Sequence, residues 1–279
     1  MIRRCSALLL WVMIGSAQAA EGEGLTLGFL PYLSGEELLL RYTPLADYLS
    51  VRLQRQVSLR VASNYQEQIR KSGEDQLDIA FLGGSPYVAV VAEYGPKPLL
   101  VRFLFDGSPT FQGVIFVRKQ SELHTLEDLA GQRIAFGDVD STLSSLVPLY
   151  MLQQAGIERE DLAAAVHLRN HQNVILGVEL GDFAAGAVAS ELYRDLAGDT
   201  LRILAESPQL STHLFITRAD LDPELITALR QALLDLNGGE GWQRRVLEAI
   251  NPRLTGFATV SDSDYDLHRE ILGYGQEGP

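Results

Sequence analysis

Short hydrophobic runs alternate with segments of helical spacing along most of the chain. Residues 25–32, 57–62, 77–82 and 99–105 predict strands. Between them, residues 36–54, 65–73 and 88–94 predict helices. This strand–helix order favours a sheet of mainly parallel strands covered by helices. In such sheets, ligands bind at the turns that follow the strands.

A second set of strands and helices lies between two loops rich in proline, glycine and serine, near 106–112 and 206–212. Its strands are predicted at 113–118, 133–136, 166–168, 185–189 and 200–205. After the second loop we expect a strand at 213–217 and a helix at 222–237. Further helices in the tail are expected to be separated by a loop at 251–263.

The pattern therefore predicts an α/β fold of two lobes, joined by a two-strand hinge with the ligand held in the cleft. Each lobe would contain a mixed, mainly parallel sheet flanked by helices. Lobe 1 would comprise residues 21–109 together with 207–279. Lobe 2 would be the inserted segment, residues 110–206.

The first twenty residues have the features of a secretory signal peptide. Arg3 and Arg4 precede an apolar run at 8–14, and small residues predict cleavage near Ala19 or Ala20. The single cysteine, Cys5, lies inside this peptide, so a mature chain without disulfides is expected. The sequence predicts export, most naturally to a bacterial periplasm.

The charge balance restricts the class of partner. The full chain has a formal charge of −13, and loss of the two arginines in residues 1–20 leaves 21 basic against 36 acidic residues, a charge of −15. So acidic a surface argues against binding to nucleic acid or anionic membranes. An anionic ligand would have to be held by local dipoles. We expect a monomer.

A candidate anion site lies where a predicted strand turns into a helix, at residues 134–152. Hydroxyl side chains cluster at the helix start: Ser141, Thr142, Ser144 and Ser145. Backbone N–H groups and hydroxyls that meet at a helix start can bind an anion without lysine or arginine. The same residue types are also common as simple helix caps, and that alternative stays open.

Other chemistry is weakly supported. His167 and His171 are four residues apart, but His167 ends a predicted strand and no third ligand is near in sequence, which disfavours a metal. Asp138 and Asp140 begin like a calcium loop, but leucines stand at its sixth and twelfth positions. Because phosphate-loop, zinc-protease and nucleophile-elbow motifs are absent from the sequence, we expect no cofactor and no enzyme activity. A Ser–His–acid hydrolase remains a distant alternative, since such triads are assembled in space.

Several motifs, in order, carry a resemblance to a known family. They are PLADYL at 44–49, DIAFLG at 78–83, SPT at 108–110, FGDVDST at 136–142, VP at 147–148, His171, and ESP at 206–208. Together they resemble the PhnD-like phosphate-, phosphite- and phosphonate-binding proteins of ABC importers, which have the type II periplasmic-binding-protein fold. The resemblance covers about residues 25–218.

The resemblance implies which residues meet the ligand. Ser141 and Thr142 match the hydroxyls of the family's oxyanion turn, while Leu143 replaces a third hydroxyl and Ser144 replaces a glycine. His171 matches the histidine of the family's Gly-Gly-His turn. In the first lobe, Ser85 or Tyr87 would supply a hydroxyl.

Three further positions shape the expected cleft. Phe111 replaces a tyrosine of the family and His213 replaces an aspartate, both at the hinge, while Tyr32 is placed at the mouth. His213 removes an acceptor and can supply a donor, or a positive charge below about pH 6.5. The lost hydroxyls leave more apolar surface, so the ligand is either a phosphorus oxyanion or a larger, partly apolar anion. A cleft that no longer captures a ligand is a third alternative.

The resemblance implies an exported solute-binding protein that closes on a small anion and delivers it to an ABC permease in the inner membrane. Closure would be favoured because the anion contacts both lobes only in the closed state. The main alternative is a ligand sensor that presents its closed state to a sensor kinase or cyclase.

Overall fold

The chain forms two large β-sheets, which are connected by a short pair of strands. The computed structural model describes residues 24–273, so the predicted signal peptide, Cys5 and the cleavage site lie outside it. Within the described range, no helix is long and apolar enough to span a membrane.

The first sheet has six strands in the order β13-β4-β12-β3-β1-β2. Its strands are β1 Leu25–Phe29, β2 Val57–Val61, β3 Ile79–Leu82, β4 Leu99–Phe105, β12 Leu214–Thr217 and β13 Leu254–Ala258. The helices of this part of the chain are α1 Gly35–Leu53, α2 Tyr65–Gly73, α3 Gly84–Tyr94, α7 Pro223–Leu234, α8 Trp242–Ile250 and α9 Asp266–Ile271.

The second sheet has five strands in the order β10-β6-β9-β7-β8. They are β6 Gly113–Arg118, β7 Arg133–Phe136, β8 Ala164–His167, β9 Ala185–Ala189 and β10 Leu201–Glu206. A π-helix at Thr142–Leu146 continues into α4 Val147–Gln154, and α5 His171–Glu179 and α6 Ser190–Leu196 complete this lobe. The two lobes are connected through a two-stranded antiparallel pair, β5 Thr110–Phe111 with β11 Leu210–Ser211.

Strand direction explains why both sheets are mixed. In the first sheet β1, β2, β3 and β4 run the same way, while β12 pairs antiparallel with both β3 and β4. In the second sheet β7, β8 and β9 are parallel and β6 runs against β9. The strands β12 and β6 are the ones that enter each lobe from the hinge, so they run away from the cleft. The strands β1, β3, β7 and β8, which are parallel to their neighbours within each sheet, end at the cleft.

The two-lobed α/β fold predicted from the sequence is confirmed, whereas the exact lobe boundaries at 109/110 and 206/207 stay a prediction. The loop expected at 251–263 is wrong, because residues 254–258 form the edge strand β13. The Asn237 side chain holds this strand, donating to the Phe257 carbonyl at 2.7 Å and accepting from its N–H at 2.7 Å. Gly256 interrupts the hydrophobic run and hides the strand from a pattern search.

Gly186 in β9 is required for the packing of α5, the helix that begins with His171. A Cβ at Gly186 would lie 2.8 Å from the Val174 side chain and 2.9 Å from those of Phe116 and Val178. Contacts this short force neighbouring side chains or the helix to shift.

We therefore expect Gly186→Ala to lower the free energy of unfolding by about 1–3 kcal/mol, measured by urea denaturation. Gly35→Ala is the matched control, because nothing lies within 4 Å of a Cβ there. Equal effects of the two substitutions would contradict this packing argument.

Candidate functional site

The strand ends of both sheets converge on one small buried cavity between the lobes. Tyr32 follows β1 and Gly83 follows β3, while Ser141 follows β7 and His171 follows β8. The cavity lining is Leu30, Tyr32, Tyr65, Gly83, Phe111, Ser141, Thr142, Leu143, His171, Ala189 and His213. Its volume is about 10 Å³, roughly the room of one water molecule.

The helix start at Thr142 lies at this cavity, which Ser141, Thr142 and Leu143 line. The first helical hydrogen bond runs from the Ser145 N–H to the Ser141 carbonyl. The N–H groups of Thr142, Leu143 and Ser144 precede that bond and are therefore free of intrahelical partners. That these N–H groups bind an anion stays a prediction.

Ser144 fixes the turn rather than facing a ligand. Its hydroxyl donates to the Ala187 carbonyl in β9, and its own carbonyl accepts from the Gly137 N–H at 2.9 Å. A Cβ at Gly137 would lie 2.6 Å from the Ser144 Oγ, so only glycine allows this approach. Ser144 is fully buried and does not line the cavity.

Ser141 and Thr142 both line the cavity, as the sequence predicts. The Thr142 Oγ1 accepts a hydrogen bond from the Ser85 N–H of the other lobe at 2.9 Å. This leaves the hydroxyl proton of Thr142 available as a donor. Burial raises the pKa of the neighbouring Tyr65 well above its usual value, and hydrogen bonding with the Ser141 side chain partly offsets that effect.

His171 is neutral, and one hydrogen bond assigns which ring nitrogen carries its proton. Its Nδ1 accepts from the Ala189 N–H at 3.2 Å, so its proton sits on Nε2. Burial lowers the pKa of His171 to about 3. Its backbone N–H also bonds the Tyr32 carbonyl of the other lobe at 3.2 Å. The imidazole therefore supplies one N–H without adding charge.

His213 lies among aromatic rings at the hinge side of the cavity. It stacks on Phe81 with ring centroids 4.9 Å apart and meets the Phe111 ring edge-on at 5.0 Å. Burial, followed by the charges of His171 and His268, lowers the pKa of His213 to about 3. The expectation that His213 becomes positively charged below about pH 6.5 is therefore wrong, since its ring stays neutral until far lower pH.

The three ligand-binding candidates from the first lobe, Ser85, Tyr87 and Tyr32, lie in different surroundings. The backbone N–H of Ser85 reaches Thr142, but its side chain lines a neighbouring groove. The Tyr87 hydroxyl donates to Asp262 at 2.6 Å, directed toward the C-terminal segment and away from the cavity. Tyr32 is buried inside the cleft rather than at its mouth, with its hydroxyl 3.0 Å from that of Tyr42.

Two residues at this site carried no decisive sequence signal. Tyr65 begins α2 and reaches the cavity from outside any recognised motif. Glu191 lies beside the cavity in a second void that also includes Tyr32 and His213. Its Oε2 has no hydrogen-bond partner within residues 24–273, and burial raises its pKa to about 8. At neutral pH this carboxyl keeps its proton.

His167 and His171, the two histidines considered as metal ligands, make separate hydrogen bonds. The His167 Nδ1 lies 3.2 Å from the Gly137 carbonyl, while the His171 Nδ1 bonds Ala189. Across the described part of the chain, no group of three His, Cys, Asp or Glu side chains is placed to hold a metal ion.

Comparison with known families gives one match that spans most of the chain. Residues 27–265 match the model described as "ABC transporter, phosphonate, periplasmic substrate-binding protein". The chain belongs to this family.

Individual relatives agree with that assignment. The phosphate-import protein PhnD of Mycolicibacterium smegmatis is 26% identical over 96% of this chain and 92% of its own length. The structure of PhnD1 from Prochlorococcus marinus in complex with methylphosphonate has a TM-score of 0.83 at 22% identity, covering 90% of this chain and 97% of that one. The binding component of a phosphonate transporter from Pseudomonas aeruginosa has a TM-score of 0.81 at 19% identity, covering 91% and 87%. These two structures share the fold.

The burial of His213 predicts a pH-dependent stability. Unfolded histidine takes up a proton below about pH 6.5, whereas the folded ring does so only near pH 3. The unfolded state therefore binds more protons in this window, and the free energy of unfolding falls as the pH drops.

His213→Phe should remove this contribution, so wild type should lose about 1–2 kcal/mol more than the variant between pH 6 and pH 4.5. Urea denaturation at both pH values measures the difference. His124→Gln, at an exposed position, should keep the wild-type dependence. An unchanged pH dependence in His213→Phe would refute the assignment.

Proposed function

We propose that this protein captures a small phosphorus oxyanion in the interlobe cleft, without chemical change, and delivers it to an ABC permease as a periplasmic monomer. The observation that carries the proposal is the convergence of Ser141, Thr142 and His171 on one buried cavity between the lobes. The names of the relatives support the ligand class: one imports phosphate and another was solved with methylphosphonate.

The donors available to such an anion are neutral. They are the hydroxyls of Ser141 and Thr142, the N–H groups at the start of the helix, and the His171 Nε2–H. Neither lysine nor arginine is among the lining residues within the described range. Hydrogen bonds to an ionised group in a dry, low-dielectric site are strong, so neutral donors can hold an anion in a chain of net negative charge.

The cavity has room for about one water molecule in this structure, so the lobes would have to move apart to admit an oxyanion. Its walls favour a compact ligand. Phe111, Leu143 and Leu30 contribute apolar surface, and His213 contributes a flat neutral ring. Fewer hydroxyls surround the anion than the family pattern provides, which favours an oxyanion with an apolar substituent or few oxygens. Phosphite, methylphosphonate and phosphate are the ligands to test first.

Closure would be linked to capture because residues of both lobes line the cavity. Ser141, Thr142 and His171 belong to the second lobe, whereas Tyr65 and Tyr32 belong to the first. A ligand that contacts both sets stabilises the closed arrangement by its difference in affinity between the two states. The short β5–β11 pair, with Phe111 in β5, is the proposed hinge.

We expect one of the phosphorus anions to raise the melting temperature of the mature protein. A ligand at a hundred times its dissociation constant adds about 2.7 kcal/mol of stability, a shift of several degrees or less at this size. Thermal-shift curves with phosphate, phosphite, methylphosphonate and 2-aminoethylphosphonate measure this, with sulfate and small carboxylates as controls. Flat curves with every phosphorus compound would count against the proposal.

The double substitution Ser141→Ala/Thr142→Ala should weaken binding of the anion identified in that screen by at least about tenfold. Each lost hydrogen bond to a charged group contributes about 1.5–3 kcal/mol. Isothermal titration calorimetry measures the affinity. Ser145→Ala is the matched control, because Ser145 is buried in the same turn, does not line the cavity, and has a hydroxyl without a hydrogen-bond partner within residues 24–273. This substitution should leave affinity nearly unchanged. Unchanged affinity in the double variant would refute the site assignment.

A further inference from the structure

One arginine near the cavity is held in an unfavourable backbone conformation. Arg169 lies between β8 and α5 and has a φ of +75°, in the left-handed region that few non-glycine residues adopt. Before it, the Leu168 N–H donates to the Phe136 carbonyl at 2.7 Å. After it, the Asn170 side chain accepts from the Asn173 N–H at 2.9 Å. Because both neighbours are fixed, the turn imposes this conformation, and an arginine there lowers stability relative to glycine.

Arg169 also brings a positive charge close to the lining of the cavity. Among residues 24–273, it is the only lysine or arginine within two positions in sequence of a lining residue, which is His171. Its guanidinium reaches the first lobe, where it donates to the Ser63 carbonyl at 3.2 Å. Ser63 in turn lies two residues before Tyr65, which lines the cavity from the first lobe. The charged group therefore spans the two lobes near lining residues of each.

The charge of Arg169 is not neutralised by a partner. Arg169 is exposed and forms no salt bridge with any carboxylate of the described range. The loop after β7, the strand paired with β8, carries two carboxylates that bond elsewhere. Asp138 accepts from the Asp140 N–H at 3.1 Å, and Asp140 accepts from the Gln66 side chain at 2.7 Å. A guanidinium without a counter-charge attracts an anion that approaches the cleft.

The overall charge of the protein gives this attraction its importance. Without residues 1–20 the chain has 21 basic and 36 acidic residues, a charge of −15. Such a surface repels an anion over distances of about one Debye length, which is about 10 Å at 0.1 M salt. The neutral hydroxyl and N–H donors at the cavity act only at contact. They cannot offset the repulsion outside the cleft, whereas a cation at its edge can.

We propose that Arg169 supplies the positive charge that draws the anion into the cleft, and that the left-handed turn before α5 sacrifices backbone stability to hold it there. This inference rests on the proposed function. Arg169 does not line the closed cavity, so it acts before closure. In the closed arrangement its guanidinium donates to the Ser63 carbonyl.

The rate of anion association tests this role. Cys5 lies in the predicted signal peptide, so a cysteine that replaces Val139 would be the only thiol of the mature chain. Val139 is 51% exposed in the loop after β7, where an environment-sensitive dye can report closure. Stopped-flow fluorescence then gives the association rate constants for phosphate and for methylphosphonate. They are measured at about 20 mM and at about 300 mM sodium chloride, where the Debye length is about 20 Å and about 6 Å.

Three substitutions separate the charge of Arg169 from its backbone strain. Arg169→Gly and Arg169→Gln should both associate at least about threefold more slowly than wild type at low salt, and within about twofold of it at high salt. Arg169→Lys keeps the charge and should stay within about twofold of wild type at both salt concentrations. Only Arg169→Gly relieves the strain, so it alone should raise the melting temperature, by about 2 °C.

Two matched controls lie away from the cleft. Gln54→Gly removes another left-handed residue, the exposed C-cap of α1 at a φ of +52°, and should raise the melting temperature without changing the association rate. Arg159→Gln removes one exposed positive charge from the same lobe as Arg169 and should stay within about twofold of wild type.

Equal association rates in wild type, Arg169→Gly and Arg169→Gln at low salt would overturn this inference. So would a loss of rate that persists undiminished at high salt, an equal loss in Arg169→Lys or in Arg159→Gln, or a melting temperature that does not rise in Arg169→Gly. Calorimetry on the unlabelled wild type keeps the two proposals apart. If it binds neither phosphate nor methylphosphonate, the proposed function fails, whereas binding with rates that do not depend on Arg169 refutes this inference alone.

Discussion

The chemistry of the cleft depends on how one helix start is fastened to the second sheet. The Ser144 hydroxyl bonds the Ala187 carbonyl, and its carbonyl accepts the Gly137 N–H. These two contacts fix the first turn of the helix against β9 and against the loop after β7. The wider π-helical turn at Thr142–Leu146 keeps Ser144 inside while Thr142 reaches across to Ser85. Loss of any of these contacts would loosen the first turn of this helix.

A second feature of the cleft is that three of its titratable side chains, those of His171, His213 and Glu191, are buried and uncharged. His171 and His213 have pKa values lowered to about 3, and Glu191 has a pKa raised to about 8. Burial is the first cause in each case, because a charge in a dry interior is costly. An anion held in the proposed site would therefore meet dipoles rather than a counter-charge. Its selectivity would follow from the number of donors and from the shape of the apolar walls.

Separate segments of the chain meet at the cleft because of strand direction. Strands β1, β3, β7 and β8 end there, while β12 and β6 start near it, so Tyr32, Gly83, Ser141 and His171 become neighbours of Phe111 and His213. The same arrangement places α1 and α5 on either side of the opening.

The sequence by itself determined the strand–helix order, the hinge loops and the hydroxyl turn at Ser141 and Thr142, because local periodicity and turn residues encode them. It also gave His171 as a candidate, through its place in a family motif, and the structure places this residue at the cavity. Tertiary structure decided which side chains face the cavity. Ser144 turns to Ala187 and Tyr87 to Asp262, whereas Tyr65 and Glu191 arrive from unmarked segments. It also decided the neutral state of His213, since burial among rings depends on contacts distant in sequence. The direction of a side chain and its burial away from water depend on contacts between segments that are distant in sequence. No local sequence pattern therefore predicts them.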